Sequence, residues 1–157
     1  MADNVTNVVF AGLGGQGVIK ASDILAEAAF RAGLDVKKSE LHGMSQRGGS
    51  VSSDVRFGKE VLSPMVPPGE ADFVVVLEAA EAEAGRARLK QNGTMFTPDA
   101  IGPGRLSNQK SLNVALLGAL SRQLRIPEEH WQAALHANLP QKIWALNEQA
   151  FAIGRGA

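Results

Sequence analysis

The sequence has 157 residues, about the length of one domain, and 45% of them are apolar, which is enough to bury a core. Sixteen Lys and Arg balance sixteen Asp and Glu, and this zero net charge argues against nucleic acid as a partner. Cysteine is absent, which excludes disulfides, thiolate catalysis and iron–sulfur ligation by this chain. The start lacks a signal-peptide pattern and no apolar run could span a bilayer, so we expect a cytoplasmic protein without membrane contact.

Alternating strand and helix patterns dominate the first two thirds of the chain. In chain order they predict a strand at 7–11, a helix at 15–33, a strand at 34–40, an alternating half-exposed strand at 51–57, a buried strand at 72–78, a helix at 79–91 and a strand at 94–97. Gly58 and Lys59 predict a two-residue hairpin turn, with residues 60–63 returning as a strand. Residues 101–110 have the composition of a glycine-rich linker.

Only helical patterns follow this linker. Leucines recur at helical spacing over 112–124, and Pro127 with two glutamates marks a helix start. We therefore predict one domain over 1–157, with an α/β sheet part at 5–98 and a helical part at 111–155. The expected fold is a three-layer α/β/α, Rossmann-like arrangement: a mostly parallel sheet, a β-hairpin insertion and a C-terminal helical segment.

A glycine-rich motif lies between the first strand and the first helix. Residues 12–17, Gly-Leu-Gly-Gly-Gln-Gly, fit G-x-G-x-x-G, and we call them the glycine turn. Such a turn presents backbone N–H groups to a phosphate, a carboxylate or an acidic group of a partner. Packing alone also explains a tight glycine turn. A dinucleotide site would place an acid at the end of the second strand, and Glu40 lies near that position, so an NAD site stays open.

A second motif, residues 39–51, reads Ser-Glu-Leu-His-Gly-Met-Ser-Gln-Arg-Gly-Gly-Ser-Val, and we call it the polar loop. It has little to bury, so its polar groups are expected to pair with the glycine turn or with another molecule. Arg47 could hold an anion through two hydrogen bonds. His42 could move a proton, although a lone loop histidine more often only hydrogen-bonds. No catalytic triad or metal-ligand spacing accompanies these residues, so we predict neither a catalytic nor a metal site.

Together the two motifs resemble the gamma domain of the 2-oxoacid:ferredoxin oxidoreductases, with the beta subunits of indolepyruvate ferredoxin oxidoreductases as the nearest group. Further similarity lies in Val-Arg-Phe-Gly at 55–58, in the strand at 71–78 and in Asn-Val-Ala-Leu-Leu-Gly-Ala-Leu at 113–120. The resemblance covers most of the chain. It implies a subunit of a complex that oxidatively decarboxylates pyruvate or an aryl pyruvate such as indolepyruvate, with CoA as co-substrate.

The resemblance also implies where the chemistry resides. Thiamine diphosphate and [4Fe–4S] clusters belong to an alpha-type partner subunit, ferredoxin is reached through that partner, and this chain carries no cofactor and no catalysis of its own. A homo-oligomer stays open. The residues that the family motifs assign to ligand or partner binding are Gly12, Gly14, Gly15, Gln16, Gly17, His42, Ser45, Gln46, Arg47 and Gly48.

One departure from the family and two competing functions remain. Family members carry a longer stretch where this chain has only residues 98–110, so an edge strand is expected to be missing. The competing functions are a free-standing NAD(P)-dependent oxidoreductase and a nucleotide- or CoA-binding module without a redox role.

Overall fold

A computed structural model describes residues 4–43 and 49–156 of the chain. The five strands are β1 (Val5–Leu13), β2 (Asp35–His42), β3 (Ser50–Gly58), β4 (Ala71–Val76) and β5 (Leu89–Phe96). The five helices are α1 (Val18–Arg31), α2 (Ala82–Arg88), α3 (Leu112–Ser121), α4 (Glu128–Asn138) and α5 (Trp144–Gly156). Short 3₁₀ turns precede α2, α3 and α5, and one follows β5.

The strands form one sheet in the order β2-β3-β1-β4-β5. β4 runs parallel to both β1 and β5, whereas β3 runs antiparallel to both β1 and β2. The predicted α/β fold is confirmed: four of the five strands run in the same direction, and the antiparallel β3 makes the sheet mixed. The hairpin of the fold joins β2 to β3 and therefore includes the polar loop.

Helices cover the two faces of the sheet unequally. On the first face α1 and α3 pack on the sheet, α4 packs on α1, and α5 packs on α3. Their apolar residues and those of β1, β3 and β4 form one core, which includes Phe10, Leu25, Leu117, Trp131 and Phe151. The second face has a smaller core, in which α2 and residues near Val66 cover β1 and β4. This arrangement gives the expected three layers.

Residues 59–70, which we call the strap, cross the second face without forming a strand. The predicted hairpin at Gly58 and Lys59 is therefore wrong. The strap instead follows side chains of β2 and β3: Val61 N–H donates to an Asp35 carboxylate oxygen, and Arg56 donates to the carbonyls of Ser63 and Met65. Three prolines in the strap lack the N–H that strand pairing needs.

Asp54 of β3 fastens both the strap and α2. One of its carboxylate oxygens accepts hydrogen bonds from Val66 N–H at 2.9 Å and from the Arg88 guanidinium at 2.8 Å. Only 6% of Asp54 is exposed. The prediction of a half-exposed β3 was therefore wrong at this position, because the strap covers the polar residues of the second face.

The second helix and the last strand also differ in length from their predictions. Helical charge sorting over 79–91 suggested a long helix, but α2 has only seven residues and β5 begins directly after it. β5 is longer than predicted. Its pairing with β4 is irregular, because Ala71 pairs with Leu89 whereas Phe73 pairs with Thr94. It pairs on one side only, with β4, and residues 97–111 add no strand beyond it.

Two glycines allow α3 and α5 to touch through their backbones. A Cβ atom at Gly118 would collide with the carbonyl oxygen of Phe151, and one at Gly154 would collide with the carbonyl of Ala115. Residues 113–121 of α3 are all buried, since the helix lies between α5 and the sheet. A helix that is apolar on every side is typical of such an interior position.

Candidate functional site

The strand register brings the two sequence motifs together. Leu13 at the end of β1 pairs with Ser50 at the start of β3, and Val51 pairs with His42 at the end of β2. The glycine turn and the polar loop therefore leave the sheet at the same edge. A backbone hydrogen bond of 3.0 Å from Gly14 N–H to the carbonyl of Gly49 joins them directly. The polar loop thus contacts the glycine turn, as the sequence suggested.

Three glycines of the turn have distinct structural reasons. A Cβ at Gly12 would press on Gln16, Val18 and Leu77. Gly17 has φ of +83° and lies against the Asn113 side chain, which donates a hydrogen bond to its carbonyl. Gly15 has φ of +88° with open space where a side chain would be. Gly12 and Gly17 are thus required by close contacts, whereas Gly15 is required by its backbone angle alone.

Gln16 ties the glycine turn to the end of β4. Its Oε1 accepts a hydrogen bond of 2.7 Å from Leu13 N–H, and its Nε2 donates one of 2.9 Å to Glu78 Oε1. Glu78 directly precedes the 3₁₀ turn that leads into α2. Glu81 of that turn accepts a hydrogen bond from the Ser50 hydroxyl. The glycine turn, the polar loop and the start of α2 are therefore linked through side chains.

A cavity of about 270 Å³ lies between the glycine turn and β2. Its lining includes Gly14, Gly15 and Gly17 on one side and His42 and Val51 on the other. Lys20 of α1 also lines it and donates a hydrogen bond to the carbonyl of Asn138 at the end of α4. Of the predicted site residues, the structure brings the three glycines and His42 around one space. The side chains that line this space include an imidazole and an ammonium group.

The charge pattern beside His42 is set by Lys38. Its ammonium group contacts Asp23 and Glu40, each at 2.8 Å, and Glu40 lies 3.9 Å from His42. The hydrogen bond from Lys38 lowers the pKa of Glu40 below its usual value, although partial burial opposes this. Burial alone would lower the pKa of Lys38, but its hydrogen bonds with Asp23 and Glu40 outweigh it, and the pKa is raised. The pair is therefore ionised at neutral pH.

A second cavity, of about 410 Å³, lies on the other side of the glycine turn. It is lined by Gly15, Gln16 and Gly17 together with Leu77 and Lys110. After β1 the chain turns to the first face of the sheet, and after β4 it turns to the second. In open α/β sheets the crevice at such a reversal is the usual place for a ligand.

The sequence analysis did not include Leu77, Lys110 and Asn113 in the candidate site. These residues follow β4 or begin the C-terminal helical part, up to 96 residues from the glycine turn. The family resemblance at residues 71–78 and 113–120 included Leu77 and Asn113, whereas Lys110 lies outside both segments. The predicted site residues Ser45, Gln46, Arg47 and Gly48 lie outside the described residues.

Cofactor ligands are not grouped in the described part of the chain. Within residues 4–43 and 49–156, no cluster of three or more His, Asp or Glu side chains could hold a metal ion. The full sequence has no cysteine to bind an iron–sulfur cluster. Among the described helices, none has the length and apolar character needed to cross a membrane.

The position of β2 argues against the dinucleotide site that the sequence left open. In a dinucleotide-binding fold the acid for the ribose follows a strand that neighbours β1. Here β3 lies between β1 and β2, which places Glu40 two strand spacings, about 10 Å, from the line of β1. Glu40 is also occupied by Lys38. The NAD(P)-dependent alternative is not supported.

Comparison with known proteins shows the family to which the chain belongs. A family model described as pyruvate ferredoxin/flavodoxin oxidoreductase matches residues 7–103. Indolepyruvate oxidoreductase subunit IorB of Thermococcus kodakarensis is 34% identical, over 94% of this chain and 93% of its own length. That alignment spans 188 positions, more than the 157 residues here, so the relative has residues without counterparts in this chain.

Two further similarities concern gamma subunits. The common gamma subunit of the pyruvate/ketoisovalerate oxidoreductases of Pyrococcus abyssi is 37% identical, over 55% of this chain and 48% of its own length. The crystal structure of the gamma subunit of a keto/oxoacid ferredoxin oxidoreductase from Geobacter sulfurreducens has a TM-score of 0.78 at 25% identity, covering 95% of each chain. The chain belongs to the pyruvate ferredoxin/flavodoxin oxidoreductase family and is a subunit of a 2-oxoacid:ferredoxin oxidoreductase.

Proposed function

We propose that this chain is the cofactor-free, gamma-type component of a complex that oxidatively decarboxylates an aryl pyruvate, such as indolepyruvate, with CoA. An alpha-type partner subunit would hold thiamine diphosphate and the [4Fe–4S] clusters, and would pass electrons to ferredoxin. Two features of the chain support this division of labour. It has no cysteine, and its described residues group no set of metal ligands. The similarity to an indolepyruvate oxidoreductase subunit supports the choice of substrate.

Within this complex, we assign the glycine turn and the polar loop to one binding surface for the partner or for the anionic part of CoA. The observation that carries the assignment is the hydrogen bond between Gly14 and Gly49, which joins the two motifs at one edge of the sheet. The backbone of Gly12, Gly15 and Gly17 would shape the surface. His42 and Arg47, with Ser45, Gln46 and Gly48, would supply its polar contacts. Gln16 would hold the turn in place through Glu78.

Co-purification tests the assembly. The tagged full chain should retain from its native cells a larger subunit, and the isolated complex should contain thiamine diphosphate and iron. It should also reduce ferredoxin with indolepyruvate and CoA, whereas the chain alone should not. A chain that purifies without any cofactor-bearing subunit, or a complex that prefers pyruvate over aryl pyruvates, would contradict the corresponding part of the proposal.

A matched pair of arginine variants tests the surface. Arg47→Ala should weaken retention of the partner or raise the KM for CoA about tenfold, as expected for loss of a charge-assisted hydrogen bond. Arg31→Ala removes the same charge from an exposed position at the end of α1, the helix whose start adjoins the glycine turn, and should have no effect. Equal effects of both variants would indicate general electrostatics rather than a site at the polar loop.

A further inference from the structure

A larger cavity, of about 570 Å³, lies at the opposite end of the sheet from the glycine turn, and we call it the basal cavity. Thr6 near the start of β1, Gly58 at the end of β3 and Thr94 of β5 contribute to its lining. Residues 123–126, between α3 and α4, close its far side. Neither the glycine turn nor the polar loop reaches it. Its volume is in the range of sites for small molecules.

Cations from three separate segments line the basal cavity. Lys90 of β5 pairs with Asp72, which also accepts a hydrogen bond from Asn7 N–H. Lys59 of the strap and Arg125 before α4 have no carboxylate or other polar partner among the described residues. The single carboxylate in the lining is thus already used by Lys90 and by the backbone. Among the described lining residues, two positive charges therefore have no carboxylate partner.

Part of the remaining lining is apolar and includes aromatic rings. Phe57 and Phe73 line the cavity, and Phe73 packs on Phe96 with ring centroids 6.4 Å apart. Leu124 and Ile126 face them from the connection between α3 and α4. Rings and branched aliphatic side chains of this kind favour a flat apolar group.

An irregularity of β5 lies at the rim. Asn92 has φ of +70°, and it is the one non-glycine residue with positive φ in the described part of the chain. It belongs to the segment where β5 and β4 lose regular register. Such bulges redirect side chains and are frequent beside functional sites. Here the bulge places Asn92 among the lining residues of the basal cavity.

We propose that the basal cavity binds a small molecule in which a carboxylate or phosphate is attached to a planar ring. Arg125 and Lys59 bind the anionic group, Phe57 and Phe73 contact the ring, and Asn92 offers a hydrogen bond at the rim. An aryl carboxylate and a nucleoside monophosphate share this chemistry. The site lies beyond the assembly role, since it uses none of the residues assigned to partner binding.

Titration of the full chain, followed by its backbone amide resonances, tests the site. The probes are 3-phenylpropionate and AMP, with acetate and inorganic phosphate as ringless counterparts. At least one ring-bearing probe should bind saturably and shift resonances of residues 57–59, 90–94 and 123–126. Its ringless counterpart should bind at least about tenfold more weakly. Which probe binds more tightly identifies the anionic group.

Two pairs of variants locate the charge. Arg125→Ala and Lys59→Ala should each weaken binding of the probe about tenfold. Arg86→Ala and Lys142→Ala remove the same charges from exposed positions outside the cavity and should leave binding unchanged. Amide spectra of all four variants should otherwise match the wild type, which establishes that they fold.

Three outcomes would overturn the proposal: no saturable binding of either ring-bearing probe, resonance shifts confined to residues 12–17, or equal weakening by the paired variants. The ring contributes nothing if acetate or phosphate binds as tightly as its ring-bearing counterpart, and this too would overturn it. The experiment needs no partner subunit. Its failure would therefore leave the assembly role intact, and failure of assembly would leave this test valid.

Discussion

The side-chain amide of Gln16 donates a hydrogen bond of 2.9 Å to the carboxylate of Glu78, while its oxygen accepts one from Leu13 N–H. These two bonds hold the glycine turn against the end of β4. The glycine turn is thus fixed by the side chain of a residue within the motif itself. This fixed turn separates the cavity of about 270 Å³ from the cavity of about 410 Å³.

Gln16→Glu should destabilise the fold in a pH-dependent way. It replaces the donor to Glu78 with a second carboxylate, so repulsion and a lost hydrogen bond should together cost about 1–3 kcal/mol at pH 7. The loss should shrink as pH falls from about 6 to 4, because one carboxyl then becomes a donor. Thermal unfolding across this range measures it. Gln91→Glu, at an exposed position of β5, should show no such recovery.

Gly17→Ala should destabilise the chain more than Gly15→Ala. Both positions have left-handed backbone angles, which cost a side chain about 1–2 kcal/mol. At Gly17 the new methyl group would also displace the Asn113 amide, whereas Gly15 has open space. We expect a total loss of about 2–4 kcal/mol at Gly17. Denaturant unfolding of both variants gives the comparison, and equal losses would show that the Asn113 contact is unimportant.

Asp54→Ala should loosen the strap. It leaves the Arg88 guanidinium and Val66 N–H without their acceptor in a largely buried place, a change that costs about 3 kcal/mol. Limited proteolysis should then cut within residues 59–70 before the rest of the chain unfolds. Asp99→Ala, on an exposed 3₁₀ turn, should stay within about 0.5 kcal/mol of the wild type and keep the strap protected.

Lys38→Met should reduce stability near neutral pH but not in acid. Because Lys38 lowers the pKa of Glu40, its contribution exists above the unfolded pKa of that carboxyl and is lost as pH falls below about 5. The raised pKa of Lys38 extends the contribution until that ammonium deprotonates in strong alkali. We expect less than about 1 kcal/mol, since Glu40 is 38% exposed and screened by water.

Unfolding midpoints of Lys38→Met and the wild type from pH 3 to pH 8 provide the measurement. The two curves should converge toward pH 3. Lys142→Met serves as the control, since Lys142 is exposed and outside this network, and its difference from the wild type should not vary with pH. A Lys38→Met difference that persists at pH 3 would assign the effect to packing of the aliphatic stem.

Local patterns predicted the first strand, the glycine turn and α1 correctly, because each depends on residues close in sequence. Gly33, with φ of +90°, follows the end of α1 as expected of a capping glycine. The place of β3 between β1 and β2 was not predictable in this way, since strand order depends on pairings between distant residues. The same reason explains β5: pairing with β4 converted residues 89–91, which have a helical charge pattern, into strand.

The candidate site was likewise predictable only where its residues are close in sequence. The glycine turn and His42 were predicted from motifs, and the structure places them around one cavity. Asn113, whose side chain contacts Gly17, lies 96 residues away and has no local pattern that links it to the turn. Gln16 was expected to face a ligand or partner, but its side chain bonds to Leu13 and Glu78, which only the three-dimensional arrangement could reveal.

The close backbone approach of Gly118 to Phe151 and of Gly154 to Ala115 has a consequence for how this chain can vary. Neither position has room for even a methyl group, because the nearest atoms belong to the backbone of the other helix. A larger residue at either glycine therefore cannot be accommodated by changing a neighbouring side chain. We therefore expect both glycines to be retained in relatives of this chain while exposed residues around them vary. A designed version of the chain would have to keep both glycines.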